Sequence, residues 1–438
     1  MANLGYRPVA IDLFAGVGGF SLGIEQAGLD VAIAVEKDPI HAAVYGFNFP
    51  QTHVLCADVS DLTGTHIQQA LRDWCDRQRS PVLVSDRDRI DIDLVFGGPP
   101  CQGFSVMGKR QVCDKRNLLV FEFCRLVKEL QPRYFVMENV PGLGLKKYQN
   151  LLNRLQCEFQ AAGYEIIQPI QVLSAVNFGV PQQRQRLFVL GNQVGVKPLT
   201  YPQPQLQSPS EFCTVRDAIA DLPNLDDFTE LQTSDSVELT LPQLQLLQAL
   251  AMPYVEKLRG IISDPFNFAY PRQWNPFLLT SSKRTRHNLA SIERFNQTPP
   301  GQLESISRLQ RLDWDKPCYT LRAGTGPEHG SYTSPRPIHP KYPRVISVRE
   351  AARLHSFPDW FRFHATKWHG FRQVGNAVPP RLGRVLGHQV IAALGVAPSQ
   401  PTSTLTLKDP YLLELGQVKA SEYWKQKKRQ GDFSGLGC

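Results

Sequence analysis

Along the first part of the chain, short runs of apolar residues alternate with stretches whose apolar positions recur every three or four residues. "VAIDLF" (9–14) predicts a buried strand running into the glycine turn "AGVGG", and "FSLGIEQAG" (20–28) has helical spacing and stops at Gly28. "DVAIAVEKD" predicts a second strand reaching Glu36, and "PIHAAVYGFNFP" a second helix opened by proline. "HVLCADVS" is a third strand with Asp58 just past its end, "IDLVFGG" a fourth, and "RYFVMENV" a fifth ending at Glu138. Between the last two, "RNLLVFEFCRLVKELQP" predicts a long amphipathic helix. The polar, charge-rich stretch from about 60 to 90 reads as an insertion. This alternation predicts an α/β fold, a doubly wound and mostly parallel sheet with helices on both faces. Ligands of such sheets sit at the carboxyl ends of the strands, and Asp12, Glu36, Asp58, Cys101 and Glu138 all fall at or near those ends.

After about residue 195 the pattern changes. "KPLTYPQPQLQSPSEF" reads as a linker, and short, proline-rich segments without strand–helix alternation follow to about 340. They include an acidic patch, "DLPNLDDFTE", and a basic one, "SSKRTRHNL". Order returns with "SVREAARLHSF" and a helix around "PRLGRVLGHQVIAALG", and the basic tail "YWKQKKRQGDF" is expected to fray. These shifts divide the chain into 1–194, a smaller irregular domain at 195–345, a returning segment at 346–396 and a C-terminal extension at 397–438.

Composition narrows the class. With 42% hydrophobic and 20% charged residues, the 438-residue chain has the make-up of a soluble globular protein. No apolar run approaches a membrane span, and the first residues lack the pattern of a signal peptide. Nine cysteines at irregular spacing form no disulfide framework and no metal-ligand cluster, so a reducing cytoplasm and no metal are expected. A net charge of +8 mildly favours a polyanionic partner.

Four stretches carry candidate chemistry. The first turn, "DLFAGVGG", lacks the third glycine of a dinucleotide fingerprint; it suits a nucleoside without a pyrophosphate, with Phe14 against the base and Glu36 on the ribose hydroxyls, or is simply a tight turn. In "GGPPCQGFS", Cys101 stands outside its strand between stiff prolines and flexible Gly103, as suits a nucleophile on a loop that must close. A buried structural cysteine is the alternative. Glu138, in "FVMENVPGL", is a partly desolvated carboxylate able to share a proton, or a capping acid. Arg184 and Arg186, in "NFGVPQQRQRLFVLG", lie two apart at the start of a strand and point the same way, which suits phosphate or carbonyl oxygens or an exposed salt-bridged edge.

Taken in order, "DLFAGVGGFSLG", "GGPPCQGFS", "ENVPGL", "QQRQR" and "GFRQVGNAVPP" resemble the motif series of the DNA cytosine-5 methyltransferases of bacterial, restriction-modification type. The resemblance covers about residues 9–192 and 345–395. It implies a Rossmann-like fold with S-adenosyl-L-methionine across the first strand ends and a target-recognition domain at 195–345. By similarity, Phe14 packs on adenine, Glu36 takes the ribose, Asp58 meets the adenine amino group and Leu119 lines the adenine pocket. Gly16 and Gly18 leave room for the methionine part, the chain returning at Asn376 completes the cofactor site, and Ala15 and Pro100 are also expected to bind the cofactor. Lys37 stands where some relatives carry an aromatic, which puts one stacking contact in doubt.

The resemblance further implies a cytosine flipped from double-stranded DNA. Cys101 adds to its carbon 6, Glu138 holds ring nitrogen 3, Arg186 binds the carbonyl and Arg184 a neighbouring phosphate. Gln102 and Ser105 meet the DNA backbone, and Lys283, Arg284 and Arg286, beside Trp274 and Phe277, suit groove reading or are surface charges. The expected protein is a cytoplasmic, nucleoid-associated monomer off the membrane, methylating DNA alone or beside a separately encoded restriction endonuclease. A tRNA cytosine-5 methyltransferase and an inactive DNA-binding homologue are the competing readings.

Overall fold

A computed structural model describes residues 7–78, 89–100, 119–324 and 336–429. The first strands and helices follow the expected alternation: β1 (Val9–Leu13), α1 (Gly19–Gln26), β2 (Asp30–Glu36), α2 (Pro39–Asn48) and β3 (His53–Cys56). Next come α3 (Gly64–Gln78), β4 (Leu94–Gly97), α4 (Leu119–Leu130), β5 (Tyr134–Asn139) and α5 (Gln149–Ala161). Four further strands, β6 (Tyr164–Ile166), β7 (Gln171–Ser174), β8 (Gln182–Gln183) and β9 (Gln185–Gln193), precede the irregular region.

The main sheet runs β3-β2-β1-β4-β5-β9-β6, with β7 also paired to β9. The five strands from β3 to β5 are mutually parallel, and β9 runs antiparallel against β5, β6 and β7. The parallel strands are apolar along most of their length because helices cover both faces, with Asp12, Glu36 and Glu138 at or near their carboxyl ends. On one face Val95 and Phe135 pack with Val120, Phe123 and Val127 of α4; on the other Phe96 and Val136 pack with Phe20 of α1 and Leu382 of the helix Pro380–Leu394. Each fully buried side chain of this size contributes roughly 1.5–3 kcal/mol.

Two expectations are corrected. The stretch from 60 to 90 is not wholly an insertion, since α3 supplies the crossover from β3 to β4 and buries Ile67, Leu71 and Trp74 in the core. Its charges hide a helical period with one apolar face. The tail does not fray at "YWKQK": the helix Gln417–Lys427 buries Ala420, and the Trp424 indole N–H donates to the Pro39 carbonyl at 3.1 Å.

Between 195 and 345 the described residues form short helices and two-residue strand pairs, such as Val237–Glu238 with Leu278–Leu279. One apolar cluster joins Val215, Ile219 and Val255 of this region to Tyr45, Phe49, Phe357 and Phe361. The chain then returns to the sheet. Where α1 crosses the helix Pro380–Leu394, a methyl group on Gly23 would meet the Pro380 carbonyl oxygen at 2.4 Å, so glycine permits the close approach.

Candidate active site

The strand order reverses between β1 and β4, and their carboxyl ends open on a cavity of about 710 Å³. Leaving β1, Phe14 adopts φ +67°, rare for a residue with a side chain, and lines the cavity. The next turn is fixed from β2: Gly16 N–H donates to Glu36 Oε2 and Asp38 N–H to Oε1, both at 2.7 Å. Burial is the largest influence on Glu36 and raises its pKa above the ordinary value despite these bonds. A carboxylate held by one bond on each oxygen keeps acceptor capacity for a diol.

Asp58 follows β3, where it accepts Ser60 N–H at 3.1 Å and pairs with Lys37 at 2.6 Å. Burial works to raise the Asp58 pKa, but Lys37 and the Ser60 amide outweigh it and hold the pKa below the usual value. Lys37, 75% exposed, lines the cavity together with Asp58. Asp12 lines the floor and accepts the Ser21 hydroxyl at 2.5 Å, tying β1 to α1. Burial pushes the Asp12 carboxyl well above the ordinary carboxylate range.

The other pole of the cavity rests on β5 and β9. Glu138 is paired in register with Phe188, and the Arg186 Nε sits 2.7 Å from Glu138 Oε1. The second oxygen, Oε2, lies against Gly98, where a methyl group would be only 2.8 Å away. Asn139, buried beside it, donates to the Pro99 carbonyl at 3.3 Å and holds the chain two residues before Cys101. A carboxylate and a guanidinium side by side can meet a planar ligand that presents both an N–H edge and a carbonyl.

The profile of the C-5 cytosine-specific DNA methylases matches residues 9–392. The chain belongs to that family. Type II methyltransferase M.XorII of Xanthomonas oryzae pv. oryzae is 45% identical over 95% of this chain and 92% of its own. M.DdeI of Desulfomicrobium norvegicum is 31% identical over 87% of this chain and 88% of its own. A crystal structure of a prophage-encoded Escherichia coli protein, described as a DNA modification methyltransferase, superposes with a TM-score of 0.69. It is 33% identical and covers 89% of this chain and 100% of its own.

As a DNA cytosine-5 methyltransferase, the chain gathers most of its expected site residues on one cavity. Phe14, Ala15, Gly16, Glu36, Asp58, Pro100, Leu119 and Asn376 line it, together with Glu138 and Arg186. Gly18 is not in that lining; a methyl group there would strike the Phe49 ring at 2.3 Å, so its smallness serves packing. Cys101, Gln102 and Ser105 lie outside the described residues.

Arg184 requires a correction. It was expected to take a neighbouring phosphate, but it is fully buried and donates to the carbonyls of Leu321, Gly375 and Ala377 at 2.9–3.1 Å. Arg184 lies between β8 and β9, and the turn there sends it inward while Arg186 faces the cavity. Among the basic candidates, Arg284 pairs with Asp226 and Arg286 donates to Gln232 Oε1 at 3.2 Å, while Lys283 is half-buried. The acidic and basic patches therefore meet each other, and none of the three lines the cavity.

Sequence reasoning missed His41, Arg372 and Gln417 in the cavity wall. Arg372 stands inside the recognised "GFRQVGN" run, whereas Gln417 lies beyond the family match and carried no signal. Among the described residues no helix is long and apolar enough to cross a membrane, and no His/Cys/Asp/Glu group could hold a metal.

Proposed function

We propose that this methyltransferase binds S-adenosyl-L-methionine and modifies carbon 5 of a cytosine flipped from a specific site in duplex DNA. The observation that carries the reading is the Glu138–Arg186 pair facing the same cavity as Phe14, Glu36 and Asp58. The cofactor fits this donor set: Phe14 for the adenine face, Glu36 for the ribose hydroxyls and Asp58 for the adenine amino group, with Asn376 in the wall of the same cavity. When bound, it supplies an electrophilic methyl group on sulfur.

The chain's own residues prepare the base. Glu138 shares a proton with ring nitrogen 3 and Arg186 donates to the carbonyl, so the negative charge that builds on the ring as the thiolate adds is met by fixed partners. The Cys101 thiolate adds to carbon 6, and the ring electrons this displaces make carbon 5 nucleophilic. After methylation, loss of the carbon 5 proton restores the double bond and expels Cys101. Pro99, held by Asn139, sets where that thiol begins its approach.

The irregular region at 195–345 reads the site, with Lys283, Arg284 and Arg286 as candidate contacts and Gln102 and Ser105 on the backbone. For Arg284 this requires exchanging Asp226 for DNA. The enzyme acts as a monomer at the nucleoid, alone or beside a separate endonuclease. Bisulfite sequencing of plasmid DNA from cells expressing the chain, beside Cys101→Ser, tests the reading. Protected cytosines confined to one short motif and absent in the variant are expected. No protected cytosine, or methyl transfer to tRNA instead, would overturn it.

A further inference from the structure

We infer that Arg184 is a positioning residue that couples the cofactor wall to the DNA-reading region, so that filling one strengthens binding at the other. The inference rests on the cofactor and DNA reading above.

Arg184 occupies the single position between β8 and β9. Before it, β8 pairs in parallel with Cys318–Tyr319 from the irregular region; after it, β9 joins the main sheet beside Glu138. Its guanidinium spans the two sides. One nitrogen donates to Leu321 O at 3.1 Å, and another to Gly375 O and Ala377 O, both at 2.9 Å, on either side of Asn376. A fully buried cation shared among three carbonyls from two separate stretches fixes their relative position, because moving either one leaves polar groups unpaired away from water.

Neighbouring contacts make the same connection. Leu321 N–H donates to Gln182 Oε1 at 3.0 Å, and the Thr320 hydroxyl to Gln183 O at 2.6 Å. His355 links the same group to the Ala377 carbonyl at 2.9 Å and to Gln182 at 2.9 Å. Gly375 completes the junction: a methyl group there would lie 2.5 Å from Ala323 N, so cofactor wall and reading segment touch backbone to backbone. A ligand that shifts residues 375–377 therefore shifts 320–323 with them. By linkage, DNA that orders 320–323 favours the cofactor equally.

The test measures binding of the full-length chain to its cognate duplex with and without S-adenosylhomocysteine, in wild type and Arg184→Lys. Lysine keeps the charge and loses the fork that reaches both stretches. In wild type the cofactor product is expected to tighten duplex binding by about fivefold or more. In Arg184→Lys that ratio is expected to fall below about twofold, with the affinity for the product alone little changed. A merely structural role would weaken each ligand and leave the ratio intact.

A wild type that methylates DNA but shows no coupling overturns the inference, and so does full coupling in Arg184→Lys. If Arg184→Lys does not fold, Gly375→Ala decides by the same ratio, because its methyl group separates the touching backbones. Failure of wild type to methylate DNA would instead overturn the functional reading.

Discussion

Arg186 Nε lies 2.7 Å from Glu138 Oε1, with the two side chains 15% and 13% exposed, across the antiparallel pairing of β9 and β5. The pair is formed before any base arrives, so neither group has to be recruited during the reaction. Glu138→Gln keeps the shape and removes the charge. Its kcat for methyl transfer to a cognate duplex is expected to fall by roughly 10²–10³, with the unfolding midpoint close to wild type. Combined with Arg186→Ala, the losses should be far from additive, as for groups acting as a unit. A Glu138→Gln rate near wild type would remove the carboxylate from its proposed role.

Two adjacent glycines should separate folding from catalysis. A methyl group on Gly97 would meet the Leu13 carbonyl oxygen at 1.9 Å, a clash with backbone that cannot swing aside. Gly97→Ala is therefore expected to cost at least about 1–3 kcal/mol in urea unfolding. At Gly98 the methyl group would meet only the tip of Glu138, at 2.8 Å. Gly98→Ala should unfold nearly as wild type yet lose turnover by displacing that carboxylate. Equal stability losses for the two variants would contradict this geometry.

Glu36 accepts a backbone N–H on each oxygen. In Glu36→Gln one of those donors faces an amide NH₂, and the charge is gone. Losing a charged hydrogen bond worth about 1.5 kcal/mol raises the cofactor Kd roughly tenfold. Calorimetric titration with S-adenosylmethionine checks this, with duplex affinity measured alone as the control. An unchanged Kd would take Glu36 out of the cofactor site.

Glu350 gives the fold a pH dependence. Its oxygens meet Arg344 at 2.7 and 2.9 Å and the Ser347 N–H at 2.6 Å. Burial works to raise its pKa, but Arg344 outweighs that and holds it down to about 2. Because the folded pKa lies below the unfolded value of about 4.3, this stabilisation is complete above that pH and lost as pH falls toward 2. Glu350→Gln should be destabilised by roughly 3–5 kcal/mol at pH 6, and the gap from wild type should narrow by pH 3. A constant gap across that range would show that the ion pair is not its source.

The first half of the sheet was legible because its signals are local. An apolar run of four to eight residues bounded by glycine or proline is too short for a buried helix and so reads as a buried strand, and the strand ends then place Asp12, Glu36, Asp58 and Glu138. The helix α3 escaped notice because its apolar positions are diluted by charge, and the C-terminal helix because Trp424 finds its partner Pro39 only in the folded chain.

The sequence by itself determined the family, the parallel sheet and the residues at its strand ends, since spacing along one strand is a property of the backbone. Only the tertiary structure decided how those residues are used. Arg184 and Arg186 are alike in sequence, yet one is buried against the carbonyls of Leu321, Gly375 and Ala377 while the other faces Glu138. Lys37 meets Asp58, and Arg284 meets Asp226, across chain separations that no local pattern encodes. A guanidinium goes where buried carbonyls or a carboxylate need it, and those partners are set by packing of distant segments.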